Sequence, residues 1–249
     1  MKILLVQLSF LGDIILTTPV ISGLKTIYPS SSVSVLTTVA GSFLLENDPL
    51  IDEVITFDKR EKEKGVRGIL QKARQLKEKE FDRVYSVHRS YRTALMLFFS
   101  GISQRTGFAD SGLSLLYSRR VKRSNENHAV LRNLSILSGE TDKNLPDPKL
   151  RLFPPETDGC GRKVNEFLLL HKEYAVIAPS SAWKTKMWHW QGFVELIHFF
   201  RGNGMEVVLI GGKDDTQVCD KIALHADVYD LYGRLSLKET MMVMKRSRI

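Results

Sequence analysis

Short apolar runs alternate with longer amphipathic stretches along most of the chain. Ile3 to Val6 has the length and composition of a fully buried strand, and a polar loop separates it from an apolar-faced segment over 12–28. Further strands are predicted over 33–36, 54–57 and 84–87, with a charged helix over 63–80 before the last of them. Strands alternating with helices point to a parallel sheet with helices on both faces. Residues 101–124 show no clear period and read as loops, and 127–137 reads as a helix ended by Ser138-Gly139.

Pro146, Pro148, Pro154 and Pro155 then interrupt the pattern, as an inter-domain linker would. Domains over 1–154 and 155–249 are expected. The second restarts with a helix over 158–170, a strand over 174–178, a polar loop over 179–186, a helix through 193–200 and a strand over 207–210 before Gly211-Gly212. Both halves thus run strand, polar loop, helix, which gives two α/β lobes with a cleft between them. The second lobe offers only two or three strands, and 245–249 reads as a helix end entering another. A lobe of about 80 residues with an open edge folds poorly alone, so the chain reads as a fragment.

Composition narrows the class. With 43% hydrophobic and 26% charged residues, the 249-residue chain is globular, not disordered, collagen-like or coiled coil. Ala94 to Phe99 is among the longest apolar runs, far short of the ~18 residues of a membrane helix. Gln7 and Asp13 interrupt any secretory signal. Cys160 and Cys219 are isolated, which suits a reducing cytoplasm and no metal cofactor. Of the net charge of +8, residues 1–150 hold +6 and 151–249 hold +2. The first half therefore expects an anionic partner. No RRM, KH, zinc-finger or helix-turn-helix signature is present, so that partner is not nucleic acid.

Four places carry candidate chemistry. The loop Gln7 to Asp13, with Thr17-Thr18-Pro19 after it, leaves the carboxyl end of the first strand, where open α/β sheets bind ligands. It has neither a dinucleotide fingerprint nor a P-loop. Asp13 is either a first-turn helix acid or a general base. Pro179 to Trp190 holds all three tryptophans with Ser180, Ser181, Lys184 and Lys186. Hydroxyls, amides and a lysine suit a phosphate; otherwise the tryptophans fill core and the lysines are solvated. Asp214 and Asp215 can accept from ribose hydroxyls or cap a helix. The basic runs are Lys59, Arg60, Lys62 and Lys64; His88, Arg89 and Arg92; and Arg119, Arg120, Lys122 and Arg123. The first, interrupted by Glu61 and Glu63, reads as a solvated face, and His88 alone as a hydrogen-bonded structural histidine.

Ile3 to Pro19 closely resembles the opening motif of the ADP-heptose:lipopolysaccharide heptosyltransferases, glycosyltransferase family 9, nearest the heptosyltransferase II branch. Val87 to Thr93 with Arg105-Thr106-Gly107-Phe108, Pro179 to Trp188 with its Lys-x-Trp, and Ile210 to Asp215 resemble later family stretches, in the right order. The resemblance spans essentially the whole chain. It implies a GT-B architecture of two Rossmann-like lobes, with the acceptor on the first and the nucleotide sugar on the second. It implies inverting transfer of L-glycero-D-manno-heptose from ADP-heptose to the anionic inner core of lipopolysaccharide by a monomeric enzyme, in peripheral contact with the inner face of the inner membrane. Asp13 matches the family's general base. Ser180, Ser181 and Lys186 match groups on the donor diphosphate, and Asp214 or Asp215 falls where the nucleotide's ribose or base is held. Ser9, Gly12, His88, Arg89, Arg92 and Arg120 are the acceptor-side candidates. The family's Asp-Ser-Gly-x-x-His donor motif would fall just past Ile249, so by this likeness the chain is C-terminally truncated. A family 9 transferase for another sugar or acceptor, or a non-catalytic anion- or nucleotide-binding module, is the alternative.

The chemistry is compatible. One carboxylate suffices to take the acceptor's proton as its oxygen attacks the anomeric carbon. Charge building on the leaving diphosphate through an oxocarbenium-like transition state can be met by Lys186, the two serines and loop amides.

Overall fold

The first apolar run forms β1 (Lys2–Gln7), in which Ile3 to Val6 have no solvent exposure. A computed structural model describes residues 1–59, 61, 63–124, 128–140, 148–155, 161–171, 173–181 and 183–249, in two units, Met1–Phe153 and Pro154–Ile249. In the first unit β1 lies between β2 (Ser32–Thr37) and β4 (Arg83–Ser86), both parallel to it, with Ile3 opposite Val33 and Arg83. With β3 (Glu53–Thr56), β5 (Gln104–Phe108) and β6 (Arg119–Val121), the sheet runs β3-β2-β1-β4-β5-β6, every pair parallel. The chain builds outward from β1 in one direction and then in the other. The order therefore reverses between β1 and β4, and a crevice opens beyond their carboxyl ends. The loops 8–10 and 87–90 meet there.

Six α-helices of this unit are described: α1 (Leu11–Ile15), α2 (Thr18–Ile27), α3 (Val39–Leu45), α4 (Gly65–Glu78), α5 (Tyr91–Phe99) and α6 (Ala129–Leu134). The segment over 12–28 is two helices, not one. The Thr17 hydroxyl donates to the Asp13 carbonyl at 2.7 Å, and Pro19, without an N–H, sits in the first turn of α2, so the hydrogen-bond ladder restarts. Glu63 stays outside α4: its carboxylate accepts from the Asp58 N–H at 2.8 Å and pairs with buried Lys72 at 2.9 Å.

Residues 101–124 are largely loops and turns, as expected, but they also hold the two short strands β5 and β6. Glutamine and arginine open both strands, and burial sets in only at their ends, at Thr106 to Phe108 and at Val121, too short a stretch to show a period. Gly107 is needed because a Cβ there would stand 2.6 Å from the Tyr117 ring. The proline-rich stretch is not a free linker throughout. The Arg151 N–H donates to Thr18 Oγ1 at 3.0 Å and its guanidinium pairs with buried Asp48, which ties 148–153 to the first unit. Pro146, the predicted helix starts at Asn127 and Asp158, and Cys160 lie outside the described residues.

The second unit holds β7 (Tyr174–Ile177), β8 (Glu206–Leu209) and β9 (Tyr229–Asp230), parallel and in that order. Its helices are α7 (Arg162–Leu170), α8 (Trp190–Gly202), α9 (Thr216–Ala223) and α10 (Leu237–Arg246). α7 and α10 pack Phe167 and Met242 on Tyr174 and Val208, whereas α8 and α9 pack Ile197 and Ile222 on Val207 and Leu209. Past α10 the chain follows the outer edge of β7, with the Arg248 N–H donating to the Tyr174 carbonyl at 3.0 Å and the Val176 N–H to that of Ile249 at 2.8 Å. No helix among the described residues is long and apolar enough to cross a membrane.

Candidate active site

Asp13 occupies the first turn of α1, on the crevice side of β1. It caps nothing: the helix N-cap is Phe10, without a side-chain cap. The exposed carboxylate accepts no hydrogen bond from the described residues, while its backbone is held firmly. Gln7 Nε2 donates to Thr17 Oγ1 at 3.1 Å, Thr17 donates on to the Asp13 carbonyl, and Asn133 Nδ2 donates to the Leu16 carbonyl at 3.0 Å. Three buried polar side chains thus fix the α1–α2 junction without drawing on the carboxylate. A Cβ added at Gly12 would meet nothing within 4 Å, and its φ is ordinary, so neither packing nor backbone conformation requires a glycine there.

Arginines gather on this side. Arg123, just past β6, stacks over Phe108 at 5.7 Å. Burial, and then the charges of Arg89 and Arg132, hold its pKa below the ordinary arginine value, against the opposing pull of Asp110 and Asp13. Arg89 pairs with Asp110 at 2.7 Å. The Nε atoms of Arg123 and Arg132 are buried without a hydrogen-bond partner. Arg132 and Asp110 escaped the sequence reading: Arg132 sits in the amphipathic pattern of α6, and no local motif marks it. Arg120 stands exposed on edge strand β6 opposite Gly107, and it is Arg123 whose charge reaches Asp13.

His88 follows β4, its N–H donating to the Val6 carbonyl at 3.2 Å and its Nδ1 lying 2.7 Å from Thr93 Oγ1. Burial, with Lys59 and Arg89 adding to it, lowers its pKa to about 4, so the ring is neutral at pH 7. It lines a pocket of about 280 Å³ with Leu8, Lys59 and Arg92. Lys59 is not merely solvated: its Nζ donates to the Leu8 carbonyl at 2.5 Å. Lys59 also borders a second pocket of about 280 Å³ lined by Ser9, Phe10 and Thr38. Arg92 stacks over Tyr91 at 5.7 Å. Lys64 is exposed, and Arg60 and Lys62 lie outside the described residues.

In the second unit the loops after β7 and β8 leave the same sheet edge, since Ile177 pairs with Leu209. Trp183 and Trp188 are 64% and 49% exposed, and only Trp190 packs on the core. The tryptophans therefore do not simply fill the interior. Ser181 Oγ accepts from the Trp183 N–H at 3.2 Å, Ser180 is half-buried, and Lys186 closes a 3₁₀ turn with its side chain in solvent. His189 caps α8 by accepting from the Gly192 N–H at 2.9 Å. Asp215 is engaged, its Oδ2 accepting from the Gly212 N–H at 2.7 Å, whereas Asp214 is exposed. Among the described residues no three His, Cys, Asp or Glu side chains group as metal ligands.

Comparison with known proteins agrees with this architecture. Lipopolysaccharide heptosyltransferase 2 of Escherichia coli K12 is 26% identical over 89% of this chain and 66% of its own length. The chain thus spans about two thirds of that relative. Among solved structures, a glycosyl transferase family 9 protein from Veillonella parvula superposes with a TM-score of 0.89 at 22% identity, covering 99% of this chain and 74% of its own. The E. coli ADP-heptose LPS heptosyltransferase II superposes at 0.81 with 20% identity, over 100% and 77%. The fold is the α/β, parallel-sheet architecture of these GT-B-like enzymes. The model of glycosyltransferase family 9 (heptosyltransferase) matches residues 69–249, more than half of the chain. The chain belongs to glycosyltransferase family 9.

Proposed function

We propose that the protein transfers heptose from ADP-heptose to the anionic inner core of lipopolysaccharide, with inversion at the anomeric carbon and Asp13 as general base. Family membership and the E. coli relatives support the reaction class. The observation that carries the mechanism is the Asp13 carboxylate, rigidly mounted at the sheet reversal, within reach of the Arg123 charge and accepting no hydrogen bond from the described residues.

The acceptor binds the first unit, where Arg89, Arg92 and Arg120 attract its carboxylates and phosphates and Ser9, Gly12 and His88 line its approach. Asp13 takes the proton of the attacking hydroxyl. The new oxygen–carbon bond forms as the bond from the anomeric carbon to the β-phosphate oxygen breaks, and ADP leaves with the electron pair. On the second unit, Lys186 and the hydroxyls of Ser180 and Ser181 meet the charge that builds on the diphosphate. Asp214 is the acid available to the nucleotide ribose, because Asp215 already closes its own turn. Neutral His88 donates or accepts a hydrogen bond without repelling the arginines beside it.

Release of ADP is the test. It should require ADP-heptose and a lipopolysaccharide core acceptor together, and product NMR should show the anomer inverted. Retention of configuration, or release indifferent to the acceptor, contradicts the proposal.

A further inference from the structure

Lys72 shares the buried stripe of α4 with Ile69, Ala73 and Leu76, and is only 6% exposed. A lysine is almost never buried without a partner, and its Nζ meets Glu63 Oε1 at 2.9 Å. Such a pair is a weak source of stability, because desolvating two charges cancels most of their attraction. An apolar pair of similar size would cover the helix as well. What the ion pair adds is the placement of the loop it grips.

That loop follows β3. The Asp58 N–H donates to Glu63 Oε2 at 2.8 Å, and the Glu63 N–H returns to the Asp58 carbonyl at 2.8 Å. Glu63 lies hard against α4, since a Cβ at Gly68 would stand 2.2 Å from its carbonyl oxygen. Lys72 also backs Phe57, with its Nζ 6.0 Å from the ring centroid. Phe57 and Lys59 are the two residues shared by the pocket of Ser9 and Thr38 and the pocket of Leu8 and His88. Lys59 spans the gap to the Leu8 carbonyl at 2.5 Å. The ion pair therefore stands behind the wall that divides the crevice, and Lys72 itself lines neither pocket.

We propose that Lys72 and Glu63 are positioning residues for acceptor recognition: their buried pair holds Phe57 and Lys59 as the wall between the two pockets. The Lys59 ammonium is thereby fixed where an anionic group of the acceptor arrives; this last step rests on the proposed function. Asp13 is mounted separately by Gln7, Thr17 and Asn133, so loosening the wall weakens acceptor binding without slowing the chemical step.

Two readouts on the full chain test this, one without any ligand. Amine acetylation followed by mass spectrometry should be slow at Lys59 beside exposed Lys64 and Lys77. Lys72→Met should speed the reaction at Lys59 and leave Lys64 and Lys77 unchanged, while Lys72→Arg should restore the protection. Calorimetry with a soluble, delipidated core acceptor should show Lys72→Met weakening binding by about tenfold, the scale of one coupled contact. Lys59→Ala should lose at least as much, and adding Lys72→Met to it should lose nothing further. In ADP release the loss should appear in the acceptor KM, with kcat unchanged. If Lys72→Met does not fold, Lys72→Met with Glu63→Leu removes both charges and carries the same expectations. Unchanged acetylation of Lys59 in the folded variant overturns the proposal, as does an affinity loss that adds in full to that of Lys59→Ala. Release of Lys59 in a chain that binds no acceptor would sink the enzymatic reading alone; acceptor turnover with Lys59 undisturbed would sink this inference alone.

Discussion

Two strand-to-helix turns in this protein place an aspartate at the third position of the helical turn that follows the strand. After β8, Asp215 folds back onto the Gly212 N–H at 2.7 Å, and its charge is used to close the turn. After β1, Asp13 has the same kind of position, yet the corresponding N-cap is Phe10 and no N–H is taken by the carboxylate. What differs is the holding of the turn. Gln7, Thr17 and Asn133 fix the α1–α2 junction through its backbone, so the Asp13 side chain is not needed for shape. A carboxylate released from structural duty at a sheet reversal is available for chemistry; one that closes its own loop is not.

Replacing both acids by alanine should split along that line, with the largest effect of any substitution here. Asp13→Ala should lower kcat by roughly 10²–10⁴-fold, the usual contribution of a positioned base, with a small change in Tm. Asp215→Ala should cost about 1 kcal/mol of stability, as a lost cap does, and leave turnover of the folded protein near wild type. Steady-state ADP release beside a thermal melt reads both, and the reverse assignment would dissolve the contrast.

Lys186 sharpens the comparison from the donor side. If it meets the charge of the leaving diphosphate, Lys186→Ala should lower kcat by about 10²-fold, the scale of one preorganised electrostatic group. A loss of Tm with unchanged kcat would make it a structural residue of its 3₁₀ turn.

The smallest effect concerns His88. Its folded pKa of about 4 lies below the ordinary value of 6.5. Between those values the unfolded chain binds the proton and the folded one does not. The contribution is therefore complete above pH 6.5 and is lost as pH falls towards 4. The Tm should drop through that window, and His88→Gln should flatten the slope. An unchanged slope would mean that other groups set the acid limit.

Much of this was legible from the chain alone. Apolar runs marked β1 to β4, β7 and β8, and the loop after β1 stood out because its carboxylate follows a buried strand. β5 and β6 were hidden, because Gln104, Arg105, Arg119 and Arg120 occupy strand positions near the sheet edge, where burial does not enforce an apolar pattern. The clamp by Asn133 was unreadable, since it joins residues 117 apart in the chain. Arg132 and Asp110 join the arginine cluster by the same long-range route. Nor could the chain tell Asp214 from Asp215, or Trp190 from Trp183 and Trp188, because adjacent residues of one type part only when the turn's geometry is known.

The Asp13→Asn enzyme tests the central claim most directly. Asparagine keeps the size and polarity of the side chain and cannot take the acceptor's proton. With acceptor and ADP-heptose saturating, the rate of the chemical step should fall by roughly 10²–10⁴-fold while acceptor affinity and Tm stay at wild-type values. A chemical step near the wild-type rate would contradict the account and remove Asp13 as the base.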